Sequence, residues 1–226
     1  MNFEQDGSSG CWKVPAAAHV LTSEAVESLV ITIGIIQECF QEVRVLIDSG
    51  VCEVRIPSQF GKIFLWWVEN PDGIRIRRVW LPGMASKRDS VRTPSGIPEP
   101  VDALITLIRR KLAGEEVLFN LSLLDWTICS DFQQRVLRAE HAIPHGCIST
   151  YGRIAAHIGS PRGGRAVGAM LAANPFPLLI PCHRAVRSTG ELGGFQGGIP
   201  MKRALLEMEG VAFLSNGRVS LETIYY

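Results

Sequence analysis

The chain is 226 residues long, 46% apolar and almost neutral, with a formal net charge of +1. That length suits one large domain or two small lobes with a sizeable core, and the balance of charge excludes a uniformly basic nucleic-acid binder. No run of about eighteen apolar residues occurs, and Met1 to Asp6 carry no basic stretch leading into an apolar one, so neither a membrane span nor a secretory signal is expected and an intracellular location is.

Residues 1–20 open with a Gly/Ser-rich stretch and are expected to lack fixed structure, and the polar Ser23 to Ser28 could begin a helix. Short β-favouring runs follow at Val43 to Ile47, Val51 to Ile56, Lys62 to Val68 and Ile74 to Leu81. They are split by Asp48-Ser49-Gly50, Phe60-Gly61 and Pro71-Asp72-Gly73, the pattern of an antiparallel meander. Residues 82–98, with Gly83, Pro94, Gly96 and Pro98 among charges, form a linker. Pro100 to Ala113 is helical by the spacing of Val101, Leu104, Ile105, Ile108 and Leu112, and stops before Gly114.

Phe132 to Ala142 predicts a helix capped by Ser130 or Asp131. Ser149 to His157 predicts a short helix, residues 159–164 a turn, and Arg165 to Ala173 a second helix, together a helix-turn-helix. Such a pair can be plain packing. An arginine at the start of the second helix and the small residues Ala166, Gly168 and Ala169 instead favour close approach to a duplex. Between Asp131 and Gly210 the cations Arg135, Arg138, Arg153, Arg162, Arg165, Arg184, Arg187, Lys202 and Arg203 outnumber the anions Asp131, Glu140, Glu191, Glu207 and Glu209, so this part is locally positive.

Directly after the apolar run Phe176 to Ile180 stands Pro181-Cys182-His183-Arg184, a thiol, an imidazole and a guanidinium at the end of a buried segment. A cysteine is a strong nucleophile only as thiolate, and a neighbouring histidine and positive charge are expected to favour ionisation near neutral pH. The six cysteines, at 11, 39, 52, 129, 147 and 182, have no paired short spacing, and disulfides are not expected. Cys11, His19, Cys39 and Cys52 are too scattered for a recognisable zinc site, so no metal is expected, nor any cofactor.

Seven collinear stretches carry a family resemblance: residues 132–137, Ser149 to Ala155, Gly164 to Gly168, Asn174-Pro175, Ile180 to Arg184, Gly193-Gly194-Phe195 and Leu205 to Gly210. Together they resemble the O6-alkylguanine-DNA alkyltransferases, the methylated-DNA-protein-cysteine methyltransferases, strongly over roughly the last third of the chain. The resemblance implies single-turnover transfer of an alkyl group from O6-alkylguanine, with O4-alkylthymine left open, to Cys182. It gives His183 the role of taking the thiol proton through a water, and Glu209 that of orienting the imidazole. Asn174 ties the recognition helix to the cysteine loop.

On the DNA side it implies that Tyr151 pushes the 3′ phosphate and hydrogen bonds the leaving base, while Arg165 fills the gap left by the flipped nucleotide. Arg153, Ala166, Gly168 and Ala169 would face the duplex, bound through its minor groove. Gly194 and Phe195 belong to a loop closing over the base, whose edge the backbone of Cys182, Val186 and Gln196 would read. Met170, Ala172 and Phe195 stand where the family usually has alanine, arginine and tyrosine, which bears on DNA affinity and lesion breadth. The retained Cys182 argues against a lesion sensor. A helix-turn-helix regulator would want a dimer element, and a thiol-redox enzyme a second flanking cysteine.

The expected architecture is α+β. A supporting α/β lobe with a small antiparallel sheet spans residues 1–95, a linker and helix 96–127, and a mostly helical DNA-binding and alkyl-acceptor domain 128–226, with a winged helix-turn-helix-like unit. A monomer acting on double-stranded DNA with alkylated bases, away from membranes, is expected.

Overall fold

Residues 50–84, 91–92 and 94–226 are described by a computed structural model; the expected helix start at Ser23 to Ser28, the β run Val43 to Ile47, and Cys11, His19 and Cys39 lie outside them. Strands β1 (Cys52–Ser58), β2 (Gly61–Asn70) and β3 (Gly73–Trp80) form an antiparallel sheet in that order. The meander follows from two tight turns. Gly61 and Gly73 open the second and third strands at φ +117° and +107°, where a side chain would be strained. Alternation along the strands sends Ile56, Ile63, Leu65, Trp67, Ile76 and Val79 into the core, with an irregularity in register at Trp66/Trp67.

Helix α1 (Glu99–Leu112) starts with proline in its first turn and carries Glu99 and Asp102 at its N-terminal end and Arg109, Arg110 and Lys111 at its C-terminal end, both favourable to the helix dipole. Its apolar stripe Val101, Leu104, Ile105, Ile108 and Leu112 is buried in the same core as the sheet. Helix α2 (Asp131–His141) is capped by Ser130, whose hydroxyl accepts the Gln133 N–H at 3.3 Å. The Gln133 side chain donates to the carbonyls of Met170 and Ala173 at 3.3 and 3.2 Å, fastening α2 to the end of helix α4 (Gly164–Ala172).

Ser149 and Thr150 are not helical. They form strand β4 (Ser149–Thr150), pairing in parallel with β5 (Ala185–Val186), and helix α3 (Tyr151–His157) begins only afterwards. The reason is the Thr150 hydroxyl, which accepts the Arg153 N–H at 3.2 Å as an N-cap and so holds its own backbone extended. Helix α5 (Gly198–Met208) closes the chain's helical set among the described residues.

One core runs unbroken from the sheet through α1, α2, α3 and α4 to the buried run Phe176, Leu178, Leu179 and Ile180; a smaller one gathers Ile148, Val186, Leu206, Val211 and Val219. Among the described residues Cys52, Cys129, Cys147 and Cys182 are free thiols, and no helix is long and apolar enough to cross a membrane.

Candidate functional site

The run before the cysteine is a folded-back loop, with the Ile180 N–H on the Phe176 carbonyl at 2.9 Å and the Cys182 N–H on the Ile180 carbonyl at 2.8 Å. Leu178 sits in its interior at φ +73°, a costly backbone state held by full burial. Asn174, just past α4, fastens this loop. Its side-chain amide donates to the Ile180 carbonyl at 3.2 Å and its side-chain oxygen accepts the Phe176 N–H at 2.9 Å, while its own N–H bonds the Leu171 carbonyl at the helix end. Cys182, His183 and Arg184 then form one turn of 3-10 helix, all buried.

Glu209, at the end of α5, gathers three basic side chains behind that turn. Its Oε1 accepts from Lys111 Nζ at 2.6 Å, His183 Nε2 at 2.9 Å and Arg184 Nη2 at 2.9 Å, and its Oε2 accepts from Arg184 Nε at 2.7 Å. Arg184 also donates to the Ile143 carbonyl at 2.5 Å. Burial by itself would raise the Glu209 carboxyl, but the bonds to His183 and Arg184 and the charge of Lys111 outweigh it and hold it well below the usual carboxylate range. With that carboxylate already matched by Lys111 and Arg184, His183 stays neutral. Burial, foremost, with the two cations beside it, brings its pKa down to about 4 against the pull of Glu209.

A carboxylate can only accept, so Nε2 of His183 carries the hydrogen and Nδ1 keeps its lone pair. Nδ1 is buried and hydrogen bonds to no protein atom. A neutral base with a free lone pair thus stands next to the cysteine in the chain. The thiol itself departs from the expectation of ready ionisation near neutral pH: burial, ahead of any neighbour, pushes Cys182 up to about 11, against the opposing Asn174 side chain and Lys202. The resting pair is therefore thiol and neutral imidazole.

Cys182 opens onto a cavity of about 780 Å³ walled by Tyr151, Arg165, Gly168, Gly194, Phe195 and Gln196, among others. Tyr151 is half-buried, and burial, joined by Glu140 and Cys182, pushes its hydroxyl up to about 12, so it remains a hydrogen-bond donor. Gly193, at φ +69°, passes so close that a Cβ there would lie 2.6 Å from Tyr151 Oη. Phe195 meets the His183 ring edge-on at 6.2 Å, and the Gln196 side chain donates to the carbonyls of Ala172 and Asn174 at 2.9 and 2.7 Å, latching this loop to the end of α4.

Arg165, Ala166 and Ala169 are exposed on α4. Gly168 is half-buried in the cavity wall, where a Cβ would meet the Tyr151 ring in ordinary contact at 3.8 Å, so it also serves the contact between α3 and α4. The Val186 side chain fills the smaller core and does not line the cavity; the expectation for this residue concerned its backbone. Arg153 is exposed on α3 and donates to the Tyr226 carbonyl. Sequence reading missed Lys111, Glu140 and Lys202 as parts of the site, and Ser188 and Thr189 on the cavity rim. The first three share a signal that could have found them: each is a charged residue on the apolar stripe of its helix, with Ile108 before Lys111, Val136 and Leu137 before Glu140, and Leu205 and Leu206 after Lys202.

A thiol opening onto a cleft, and behind it the next residue's imidazole bonded to a buried carboxylate, beside a pair of helices on an α+β scaffold, define a cysteine-centred site with its own internal base. Residues 131–211 match the model of the 6-O-methylguanine DNA methyltransferase DNA-binding domain. A methylated-DNA–protein-cysteine methyltransferase of Methanothermobacter thermautotrophicus is 50% identical over 119 residues, 52% of this chain and 66% of that protein. Its counterpart in Mycobacterium bovis is 42% identical over 113 residues, 50% of this chain and 67% of that protein. The aligned stretch thus spans about two thirds of the length of these curated relatives. Among solved structures, Mycobacterium tuberculosis OGT in complex with DNA matches with a TM-score of 0.60 at 34% identity, over 70% of this chain and 92% of that one. The chain belongs to the O6-methylguanine-DNA methyltransferase family.

Proposed function

We propose that this protein repairs DNA by direct reversal, moving an alkyl group from O6 of guanine in double-stranded DNA to Sγ of Cys182, once per molecule. The observation that carries the reading is the buried relay from Glu209 through His183 to a free Nδ1, beside the thiol that opens into the cavity. The Cys182 proton passes through a water to Nδ1. The S–C bond forms as the C–O6 bond breaks, and the guanine keeps the electron pair and takes up a proton, with Tyr151 donating a hydrogen bond to it. Coupling the two proton movements answers the high resting pKa of the thiol, because thiolate need exist only when the imidazole has accepted its proton.

A stacked guanine cannot reach a buried sulfur, so the nucleotide is flipped out. We read α3 and α4 as the helix-turn-helix of a winged unit entering the minor groove. Arg165 fills the vacated stack, Ala166 and Ala169 allow close approach, and Arg153 contacts the backbone. Asn174 holds the cysteine loop to α4, and the backbone near Gly194, Phe195 and Gln196 reads the base. On this reading the protein works inside the cell as a monomer. The test is incubation with a duplex bearing O6-methylguanine, followed by intact mass and peptide mapping. Gain of one methyl group on the peptide holding Cys182 is expected, with no gain in Cys182→Ser, which still binds the duplex; methylation elsewhere, or transfer by the serine variant at the parental rate, overturns the assignment.

A further inference from the structure

Transfer as described makes no use of Glu140, yet this carboxyl is fully buried on α2, one of two helices packed against the Cys182–Arg184 turn. The other is α5, which brings Lys202, also without exposure. Lys202 Nζ donates to the Ala185 carbonyl at 2.6 Å and the Gly194 carbonyl at 3.3 Å, tying the strand that follows the cysteine to the loop over the cavity. Neither carboxylate oxygen of Glu140 makes a hydrogen bond of ordinary length. A buried acid without such partners, near a buried base and a nucleophile, is too costly to be packing filler.

We propose that Glu140 and Lys202 are a charge-setting pair behind Cys182, acting as positioning residues that fix how much net positive charge its sulfur meets. The inference rests on Cys182 being the alkyl acceptor. The groups that act on Glu140 are the cations Lys202 and Arg184 and, more weakly, the backbone N–H of Ala185, and it acts in turn on Cys182, Tyr151 and Tyr226. Burial pushes Glu140 up to about 8, against Lys202 and Arg184, and pulls Lys202 down to about 8, against Cys182 and Glu140.

Below that range the pair is a neutral acid beside an ammonium, so the sulfur meets one positive charge that favours the thiolate. Above it the pair becomes neutral overall or negative, and that help disappears. The same carboxylate also raises the thiol directly. Rising pH therefore both promotes and opposes thiolate formation, and the rate of transfer should climb less steeply than a lone thiol would allow.

The test is the rate of Cys182 alkylation by free O6-benzylguanine between pH 6 and 9.5, in the parent, Glu140→Gln, Glu140→Leu and Lys202→Met. The free base removes DNA binding from the measurement. Both Glu140 variants lack the negative charge, so both should match the parent near pH 6.5 and exceed it by about three- to tenfold at pH 9, a shift of up to about one unit in the thiol. Lys202→Met should slow transfer at every pH below 8 by a similar factor. Parent-like profiles in both Glu140 variants overturn the proposal, as does a gain in Glu140→Gln that Glu140→Leu lacks, which would mark a hydrogen-bonding role. Peptide mapping in the same samples separates this from failure of the underlying reading, which would place the benzyl group away from Cys182.

Discussion

Replacing Glu209 by glutamine tests whether the buried charge cluster is as tightly closed as its geometry indicates. Glutamine keeps the shape and one acceptor, but Lys111 and Arg184, whose side chains are 3% and 7% exposed, lose their counter-charge. Removing one member of a buried pair costs about 3–5 kcal/mol, because the remaining charge cannot reach water. For a chain of this size that corresponds to a melting temperature lower by about 6–20 °C. Lys111→Met leaves Glu209 its two bonds from Arg184 and one from His183, and should cost only about 1–2 kcal/mol. The double variant should then be more stable than the sum of the single losses implies, by about 1–3 kcal/mol. Urea unfolding of the parent, both single variants and the double variant gives all four values. Transfer to free O6-benzylguanine should fall about tenfold or more in Glu209→Gln, since the His183 Nε2–H is left with an uncharged amide oxygen that Lys111 and Arg184 also compete for, which weakens its hold on the tautomer. A Glu209→Gln stability within about 0.5 kcal/mol of the parent, or strict additivity in the double variant, would refute this account.

Arg165→Ala should slow repair of a duplex lesion by about tenfold or more while changing the reaction with free O6-benzylguanine by less than about twofold, since only the duplex requires flipping; equal losses would point to a folding defect. Gly193→Ala should slow transfer to either substrate, because the residue is held at φ +69° with its Cβ 2.6 Å from Tyr151 Oη, and a parental rate would show that the loop yields freely. Stability should fall on both sides of a slightly acidic optimum. His183 binds its proton near pH 4 when folded and near 6.5 when unfolded, so the unfolded state gains protons first and stability drops as pH falls from 6.5 to 4, by as much as about 3 kcal/mol. Glu140, raised to about 8 when folded, works in the opposite sense: the folded state holds the extra proton, and its stabilisation is lost as pH rises from about 4.5 through 8, so the two effects offset each other between about 4.5 and 6.5 and the parent's optimum is a plateau there. Urea midpoints across pH should show Glu140→Gln losing the alkaline decline and keeping the acid one; an unchanged alkaline limb would place the cause elsewhere.

Much of this was legible from local pattern. The runs at Lys62 to Val68 and Ile74 to Leu81, divided by Pro71-Asp72-Gly73, are β2 and β3, because alternation and a glycine turn are properties of neighbouring residues. The spacing of Val101, Leu104, Ile105, Ile108 and Leu112 is α1 for the same reason. Pro181 to Arg184 announced a reactive site, and the collinear motifs around it announced the family. Tertiary structure alone decided how that site is wired. Lys111 meets Glu209 across 98 residues, and no local spacing encodes a contact of that separation. Ser149 and Thr150, held extended by the Thr150 cap, become a strand only because β5 lies beside them, and Gly168 meets the Tyr151 ring because α3 and α4 pack closely. The thiol is held up at about 11, against what its positive neighbours suggested, because Glu209 absorbs those charges while burial acts on Cys182 unopposed by water. Sequence names the groups that can react; the packing around them sets which carry charge, since desolvation and pairing depend on neighbours that only folding brings together.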